Sequence, residues 1–114
     1  REEAVHLLKH IQEMELSEIV QAINHITVYK LEIEDYLDVI MVWFRDVLLY
    51  KATRDIDAVV FKEQINAIKA RASKSSYEGI QLILTSFERA KARLKANVNF
   101  ELVMELLFLA IKEN

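Results

Sequence analysis

The chain has 114 residues, of which 53% are hydrophobic and 29% charged, and its formal net charge is −3 at pH 7. This balance is that of one folded domain, and the charge excludes a strong overall attraction to nucleic acid. Cysteine is absent, which excludes disulfides, thiolate metal sites and a cysteine nucleophile. Because the chain has one glycine and no proline, the usual residues of β-hairpin turns are missing and an all-α fold is predicted.

The first two predicted helices are amphipathic. Residues 1–14 repeat apolar side chains on one face, and a break follows near residues 15–17. The second helix carries apolar residues at helical spacing: Leu16, Ile19, Val20, Ile23 and Ile26. Its end stays open, since Thr27, Val28 and Tyr29 suit a loop as well as a helix. The chain opens inside a helical pattern without an initiating Met, so we expect a domain of a longer protein.

Residues 32–53 form the predicted central helix. This stretch holds the only Trp, and its apolar side chains cover more than half of the helical circumference. Such a helix must be covered from at least two directions. A small bundle covers a limited arc, so Val39, Trp43 and Tyr50 are candidates for an uncovered apolar strip, which would mark a partner interface. Arg45 and Asp46 interrupt the best candidate for a membrane span.

Three further helices are predicted, over about residues 58–72, over about residues 76–96, and after Asn99. Ser75 and Glu78 fit a capping box, and Gly79 predicts a close approach between helices. Asn97 suits a left-handed helix C-cap and Asn99 an N-cap. The predicted inner stripe of the middle helix comprises Tyr77, Ile80, Ile83 or Leu84, Phe87, Ala90 and Leu94.

Residues with metal-binding or catalytic chemistry are few. His6 and His10 stand four apart, a spacing that zinc can use. The glutamate of an HExxH motif and an assignable third ligand are missing, so two solvent-facing histidines are the favoured interpretation. His25 is interpreted as a helix-edge residue. Without a supported Ser-His-Asp set or a glycine-rich phosphate loop, we expect no catalysis, cofactor or metal.

The stretch from Lys69 to Lys95 is locally basic in an acidic chain. It has the charge to contact phosphate. The favoured interpretation is that these cations complement the dipoles at the ends of two helices.

Two stretches resemble a known family. Residues 43–51, WFRDVLLYK, resemble the W-x-R-D-L-L-x-x-K stretch in the C-terminal domain of bacterial clamp-loader subunits. Residues 92–107, ARLKANVNFELVMELL, are similar to the closing signature of that domain: a basic helix, Asn-Val-Asn, then L-x-x-E-x-L-L. Among these families the chain looks most like delta-prime of DNA polymerase III, with gamma/tau as the close competitor. The Asn97-Val98-Asn99 stretch and an end soon after the final helix favour delta-prime.

The resemblance implies a single collar-type bundle of about six helices over residues 1–114. In that family five subunits join through their C-terminal domains into a ring that supports ATP-dependent loading of the sliding clamp during DNA replication. The implied partners are the C-terminal domains of gamma/tau and delta, in the cytoplasm and without a membrane. DNA contact is not expected from this domain. The chain lacks a nucleotide-binding loop, zinc-binding cysteines and an arginine finger, so these would lie upstream of Arg1. The polymerase itself, a nucleotidyltransferase, is a larger assembly.

The expected function is therefore oligomerisation, with much of the surface supplied by the central helix and the last two helices. The interface candidates are Val39, Trp43, Arg45, Asp46, Tyr50, Arg93, Asn97, Asn99, Glu105 and Phe108. Arg45 and Asp46 alternatively form an internal charge pair.

Two other classes of function stay open. A freestanding adaptor would need an exposed groove for a partner helix. A metal- or ligand-binding bundle enzyme would need His6 and His10 to meet further polar groups in a cavity.

Overall fold

Six α-helices dominate the part of the chain that the computed structural model describes, which is residues 2–114, with side chains for residues 4–28 and 30–114. The helices are α1 Glu2–His10, α2 Leu16–Ile26, α3 Ile33–Thr53, α4 Ile65–Lys74, α5 Tyr77–Lys95 and α6 Phe100–Glu113. Short 3₁₀ helices lie at Ile11–Glu13, Thr27–Glu32, Ile56–Ala58 and Lys62–Gln64. The structure is 87% helical, with no strand among the described residues. The prediction of an all-α bundle of about six helices is confirmed.

Helix α3 lies at the centre of the bundle, as its wide apolar arc predicts. It packs against α4 and α5, and its side chains Leu37, Phe44 and Val47 are fully buried. The aromatic ring of Phe44 lies 6.0 Å from that of Phe87 on α5. Burying one such side chain contributes on the order of 1.5–3 kcal/mol, so α3 supplies a large part of the core.

Helix α6 closes the bundle and is held at its last turn. Its apolar residues pack against α5 on one side and α2 on another. The ammonium group of Lys112 donates hydrogen bonds to the carbonyls of Gln12 and Met14, at 3.0 and 2.6 Å. A Cβ added to Gly79 would lie 2.8 Å from the carbonyl oxygen of Asn114. The predicted close helix approach at Gly79 is therefore confirmed.

The fourth helix begins later than the sequence predicts. Residues 58–72 were expected to be one helix, but α4 starts at Ile65, because 3₁₀ turns occupy most of residues 56–64. Val59 and Phe61 are buried within this irregular stretch, whereas Val60 is 67% exposed. The apolar residues that suggested a helical face instead anchor a loop on the core.

The cap of α5 also differs from the prediction. Ser76, not Ser75, is the N-cap, and its hydroxyl accepts a hydrogen bond from the Gly79 N–H at 2.9 Å. The hydroxyl of Ser75 is buried and accepts from the Arg71 side chain instead. Tyr77, placed on the inner stripe by its spacing, is 48% exposed. The helix starts one residue later than predicted, and Tyr77 turns towards α3 rather than into the core.

A few side chains of the chain are not described by the structure. Arg1 and the side chains of Glu2, Glu3 and Tyr29 lie outside the described residues. The stretch from Thr27, left open in sequence, is a 3₁₀ helix that leads directly into α3. Within residues 2–114, no helix combines the length and the apolarity required to cross a membrane.

Candidate interaction surfaces

The tryptophan of the α3 motif lies in the core. Trp43 is 1% exposed and meets the neighbouring Phe44 ring edge-on, with 5.1 Å between ring centroids. Its indole N–H has no acceptor among the described residues. Trp43 therefore does not reach the surface of this domain, and its contribution is to packing.

Asp46 orders the loop that precedes α4. The side chain is 3% exposed, and its carboxylate accepts hydrogen bonds from the backbone N–H of Val60 at 3.0 Å and of Phe61 at 2.8 Å. The alternative of an internal Arg45–Asp46 pair is not realised, because Asp46 binds backbone while Arg45 is exposed. By fixing the Val60 N–H, Asp46 presents the Val60 side chain to solvent.

Lys51, at the end of the motif, joins three helices. Its ammonium donates a hydrogen bond to the Ala72 carbonyl at 2.9 Å and lies 5.0 Å from the centroid of the Tyr77 ring. The Tyr77 hydroxyl in turn donates to the Lys51 carbonyl at 3.0 Å. The motif of residues 43–51 thus serves mainly to hold α3 against α4 and α5.

The Asn-Val-Asn stretch is a connector between α5 and α6. Asn97 has a φ of 60°, in the left-handed region. The N–H of Asn97 donates to the Leu94 carbonyl and that of Val98 to the Arg93 carbonyl, which is the Schellman pattern of a helix C-terminus. The Asn99 side chain accepts from the Leu102 N–H at 2.9 Å. Both predicted caps are confirmed.

The ten sequence candidates therefore divide by depth. Four candidates are buried and therefore do not form an exposed interface: Trp43, Asp46, Tyr50 and Phe108. Val39 and Glu105 are half-buried, and Arg45, Arg93, Asn97 and Asn99 are exposed. The apolar arc of α3 therefore leaves no uncovered strip at Trp43 or Tyr50, which are 1% and 9% exposed.

A first apolar surface lies on the outside of α5 and α6. Leu102 and Leu106 are 48% and 43% exposed, and Leu109, half-buried, continues their stripe at the i, i+4, i+7 spacing. On α5, Leu82 is 52% exposed and shares a stripe, within roughly 40° of helical rotation, with Arg89 and Arg93. Glu101 and Glu105 flank the leucines of α6. We call this set the α5–α6 face: Leu82, Arg89, Arg93, Glu101, Leu102, Glu105, Leu106 and Leu109.

A second apolar surface lies where α3 ends. Leu49 on α3 is 40% exposed, and Ile56 and Val60 in the following loop are 44% and 67% exposed. These residues, the α3 corner, include the loop that Asp46 orders. Sequence reasoning assigned much of the interface to the central helix and the last two helices, but it did not single out Val60 or the leucines of α6. The available signal was that α6 is apolar on more sides than one buried face requires.

Arg71 is a buried cation without a carboxylate partner among the described residues. It is 4% exposed, donates from Nε to the Ser75 hydroxyl at 3.0 Å and from Nη2 to the Ile111 carbonyl, and lies 5.3 Å from the centroid of the Phe44 ring. Burial lowers the pKa of Arg71 to about 10, so it remains charged at neutral pH. Its contacts tie α4 to the last turn of α6.

Most cations of the basic stretch are engaged inside the domain. Lys91 pairs with Asp38, and the hydrogen bond between them is the main reason why the pKa of Lys91 is raised. Lys95 lies 4.0 Å from Glu34 and Lys74 lies 3.8 Å from Glu13. Most cations of this stretch therefore make contacts within the domain, while Arg89 and Arg93 are exposed on the α5–α6 face.

A cleft of about 930 Å³ opens between α1, α2 and the start of α3. Its lining residues are His6, Leu7, His10, Glu13, Met14, Glu18, Gln21, Ala22, His25, Ile26 and Tyr36. Within the described residues, no group of three or more His, Asp or Glu side chains is arranged to hold a metal ion. His25 lines the same cleft as His6 and His10, a proximity that the spacing of these residues in the sequence does not indicate.

The architecture is that of a helical bundle. Trp43, Asp46 and Lys51 of the first motif hold the fold together, whereas Leu49 of the first motif and Leu102 and Leu106 of the second lie on the apolar surfaces. A family model described as "DNA polymerase III, delta subunit, C terminal" matches residues 3–113. The chain belongs to this family, and it is thus a C-terminal domain of a DNA polymerase III clamp-loader subunit. No curated protein and no solved structure matches the chain.

Proposed function

We propose that this domain is the collar domain of a delta-prime-type clamp-loader subunit, and that its function is to assemble with the C-terminal domains of gamma/tau and delta. The observation that supports the proposal is the family match over residues 3–113 to the C-terminal domain of a clamp-loader subunit. The delta-prime assignment rests on the resemblance of residues 43–51 and 92–107. The domain acts by packing and has no catalytic role of its own.

The surfaces fit a ring-closing contact. In a heterologous ring each domain meets its two neighbours through two different patches, whereas a twofold dimer uses one patch twice. The α5–α6 face and the α3 corner differ in chemistry. The first combines leucines with Arg89 and Arg93 on α5 and with Glu101 and Glu105 on α6, and the second consists of Leu49, Ile56 and Val60. We assign one neighbour to each surface.

The test begins by mixing the domain with the isolated C-terminal domains of gamma/tau and of delta from the same genome and sizing the complexes by light scattering. Leu102→Ser with Leu106→Ser should remove one neighbour, and Leu49→Ser with Val60→Ser should remove the other. Leu31, which is fully exposed on the connection before α3, provides the matched control, and Leu31→Ser should retain both partners.

The results separate the parts of the proposal. If the folded domain binds neither partner, the collar function is wrong and the helix-binding adaptor replaces it. If binding occurs but Leu31→Ser weakens it as much as the surface variants do, the assigned faces are wrong. To test the subunit type, the collar domains of delta, gamma/tau and delta-prime are mixed with one of them omitted in turn, and the present domain is added in its place. If the present domain restores the complex only when delta-prime is the omitted domain, the delta-prime assignment is supported.

A further inference from the structure

The chain contains three histidines, and all three line the cleft between α1 and α2. This cleft belongs to neither apolar surface proposed for assembly, and among the described side chains no hydrogen bond or ion pair engages the imidazoles. His6 and His10 stand one turn apart on α1, while His25 lies on α2. The cleft therefore brings the polar side chains of Glu13 and Glu18 near those of His6 and His10.

The two imidazoles on α1 have the separation of a chelating pair. Their ring centroids are 4.7 Å apart and their planes are tilted by 54°. When two imidazoles bind one zinc ion through Zn–N bonds of about 2.0–2.1 Å at tetrahedral or right angles, their ring centres lie roughly 5 Å apart. Both side chains are exposed, so small rotations suffice to direct one nitrogen of each ring to a common point.

We infer that His6 and His10 form a two-histidine site for a borderline transition-metal ion, of the class of Zn²⁺, Ni²⁺ or Cu²⁺. Imidazole nitrogen suits these ions, whereas Mg²⁺ and Ca²⁺ require oxygen ligands. Among the side chains that the structure describes, those of residues 4–28 and 30–114, no third His, Asp or Glu is positioned to complete the coordination sphere, and water can fill positions that the two imidazoles leave open. The carboxylates of Glu13, which also lies 3.8 Å from Lys74, and of Glu18 line the cleft, and their negative charge favours a cation.

Binding at this site would act on the end of α1. His10 is the last residue of α1, and the chain continues as the 3₁₀ helix Ile11–Glu13. An ion held by His6 and His10 links the last two turns of α1 immediately before this change of helix type. Because the site exists only when α1 is helical, ligand binding stabilises the folded domain by mass action.

The experiment titrates the domain with ZnCl₂, NiCl₂ or CuCl₂ by isothermal calorimetry, and follows thermal unfolding with and without metal. We expect saturable binding of one ion per chain, an upward shift of the unfolding temperature, and reversal of the shift by EDTA. Irving–Williams ordering predicts that Cu²⁺ binds more tightly than Ni²⁺. The NMR signals of the two α1 imidazoles should shift or broaden during titration.

The variants His6→Ala and His10→Ala should each abolish saturable binding, because one imidazole alone cannot chelate. His25→Ala is the matched control, since it removes an imidazole from the same cleft and should leave binding intact. All three sites are exposed and helical, so alanine preserves the fold, which circular dichroism verifies. Absence of one-to-one binding, or loss of binding in His25→Ala but not in His6→Ala, would overturn the site. Either result leaves the collar proposal unaffected.

Discussion

Removal of the Asp46 carboxylate should destabilise the domain strongly, although this side chain is only 3% exposed. Asp46 accepts hydrogen bonds from two backbone N–H groups, those of Val60 and Phe61, and the bond to Phe61 is buried. In Asp46→Ala both donors lose this acceptor, the Phe61 N–H inside a packed region and the Val60 N–H at a part-buried position. An orphaned donor of this kind costs about 1–3 kcal/mol, so the variant should lose roughly 2–5 kcal/mol of unfolding free energy.

This loss is large relative to the total stability. Small domains unfold with about 5–15 kcal/mol, and for a chain of this length each kcal/mol lowers the melting temperature by roughly 3–6 °C. Asp46→Asn keeps one carbonyl oxygen as acceptor, so its effect should be about half as large. Asp35, exposed in the first turn of α3, is the control, and Asp35→Asn should cost less than about 1 kcal/mol.

Urea unfolding is the appropriate assay, and the only Trp provides the signal. Trp43 is 1% exposed, so its fluorescence changes when the core opens, and circular dichroism gives an independent curve for the helices. The reasoning fails if Asp46→Ala unfolds within about 0.5 kcal/mol of the parent. It also fails if Asp35→Asn is as destabilising as Asp46→Ala, since the effect would then reflect charge on α3 rather than the loop.

Three further substitutions test separate contacts by the same unfolding assay. Gly79→Ala should lower stability although alanine favours a helix by up to about 1 kcal/mol, because the new Cβ meets the Asn114 carbonyl oxygen at 2.8 Å; a stabilised variant would contradict the close approach. Asn97→Val should cost about 1–2 kcal/mol at its left-handed φ of 60°, whereas Asn97→Gly should be neutral or stabilising, and equal effects would refute the conformational reason. Pairing with Asp38 raises the pKa of Lys91, so the pair stabilises fully below the ordinary lysine pKa and less as pH rises through the raised value. Asp38→Asn should therefore lower the pKa of Lys91 in a ¹³C NMR titration and cost at most about 1 kcal/mol at neutral pH and low salt; an unchanged Lys91 titration would contradict the pairing.

The sequence predicts the helical elements well where the signal is local. The wide apolar arc of residues 32–53 identified α3 and its need for cover from two directions. The asparagines at 97 and 99 identified the connector before α6, because a left-handed residue and an N-cap are properties of a few neighbouring residues. The prediction was wrong where local signals competed. Two serines stood at the start of α5, and apolar residues at 59–61 imitated a helical face.

The candidate surfaces were less accessible to sequence reasoning. Trp43 and Phe108 have the size and chemistry of core residues and of interface anchors alike, and the packing of the other helices decides that they lie in the core. Leu102 and Leu106 have the chemistry of core residues, and the structure places them outside. A hydrophobic pattern predicts that a side chain will be buried, but it does not predict whether the surface that buries it belongs to the same chain or to a partner.

By itself, then, the sequence determined the helical class, the central place of α3, the left-handed turn at Asn97 and the resemblance to clamp-loader domains. Each depends on residue chemistry or on spacing within a few turns. The tertiary structure decided that Asp46 binds the backbone of a distant loop, that the histidines share one cleft, and that the free leucines lie on α5 and α6. These outcomes depend on which helices become neighbours, and long-range packing among several apolar faces has no signature in the order of the residues.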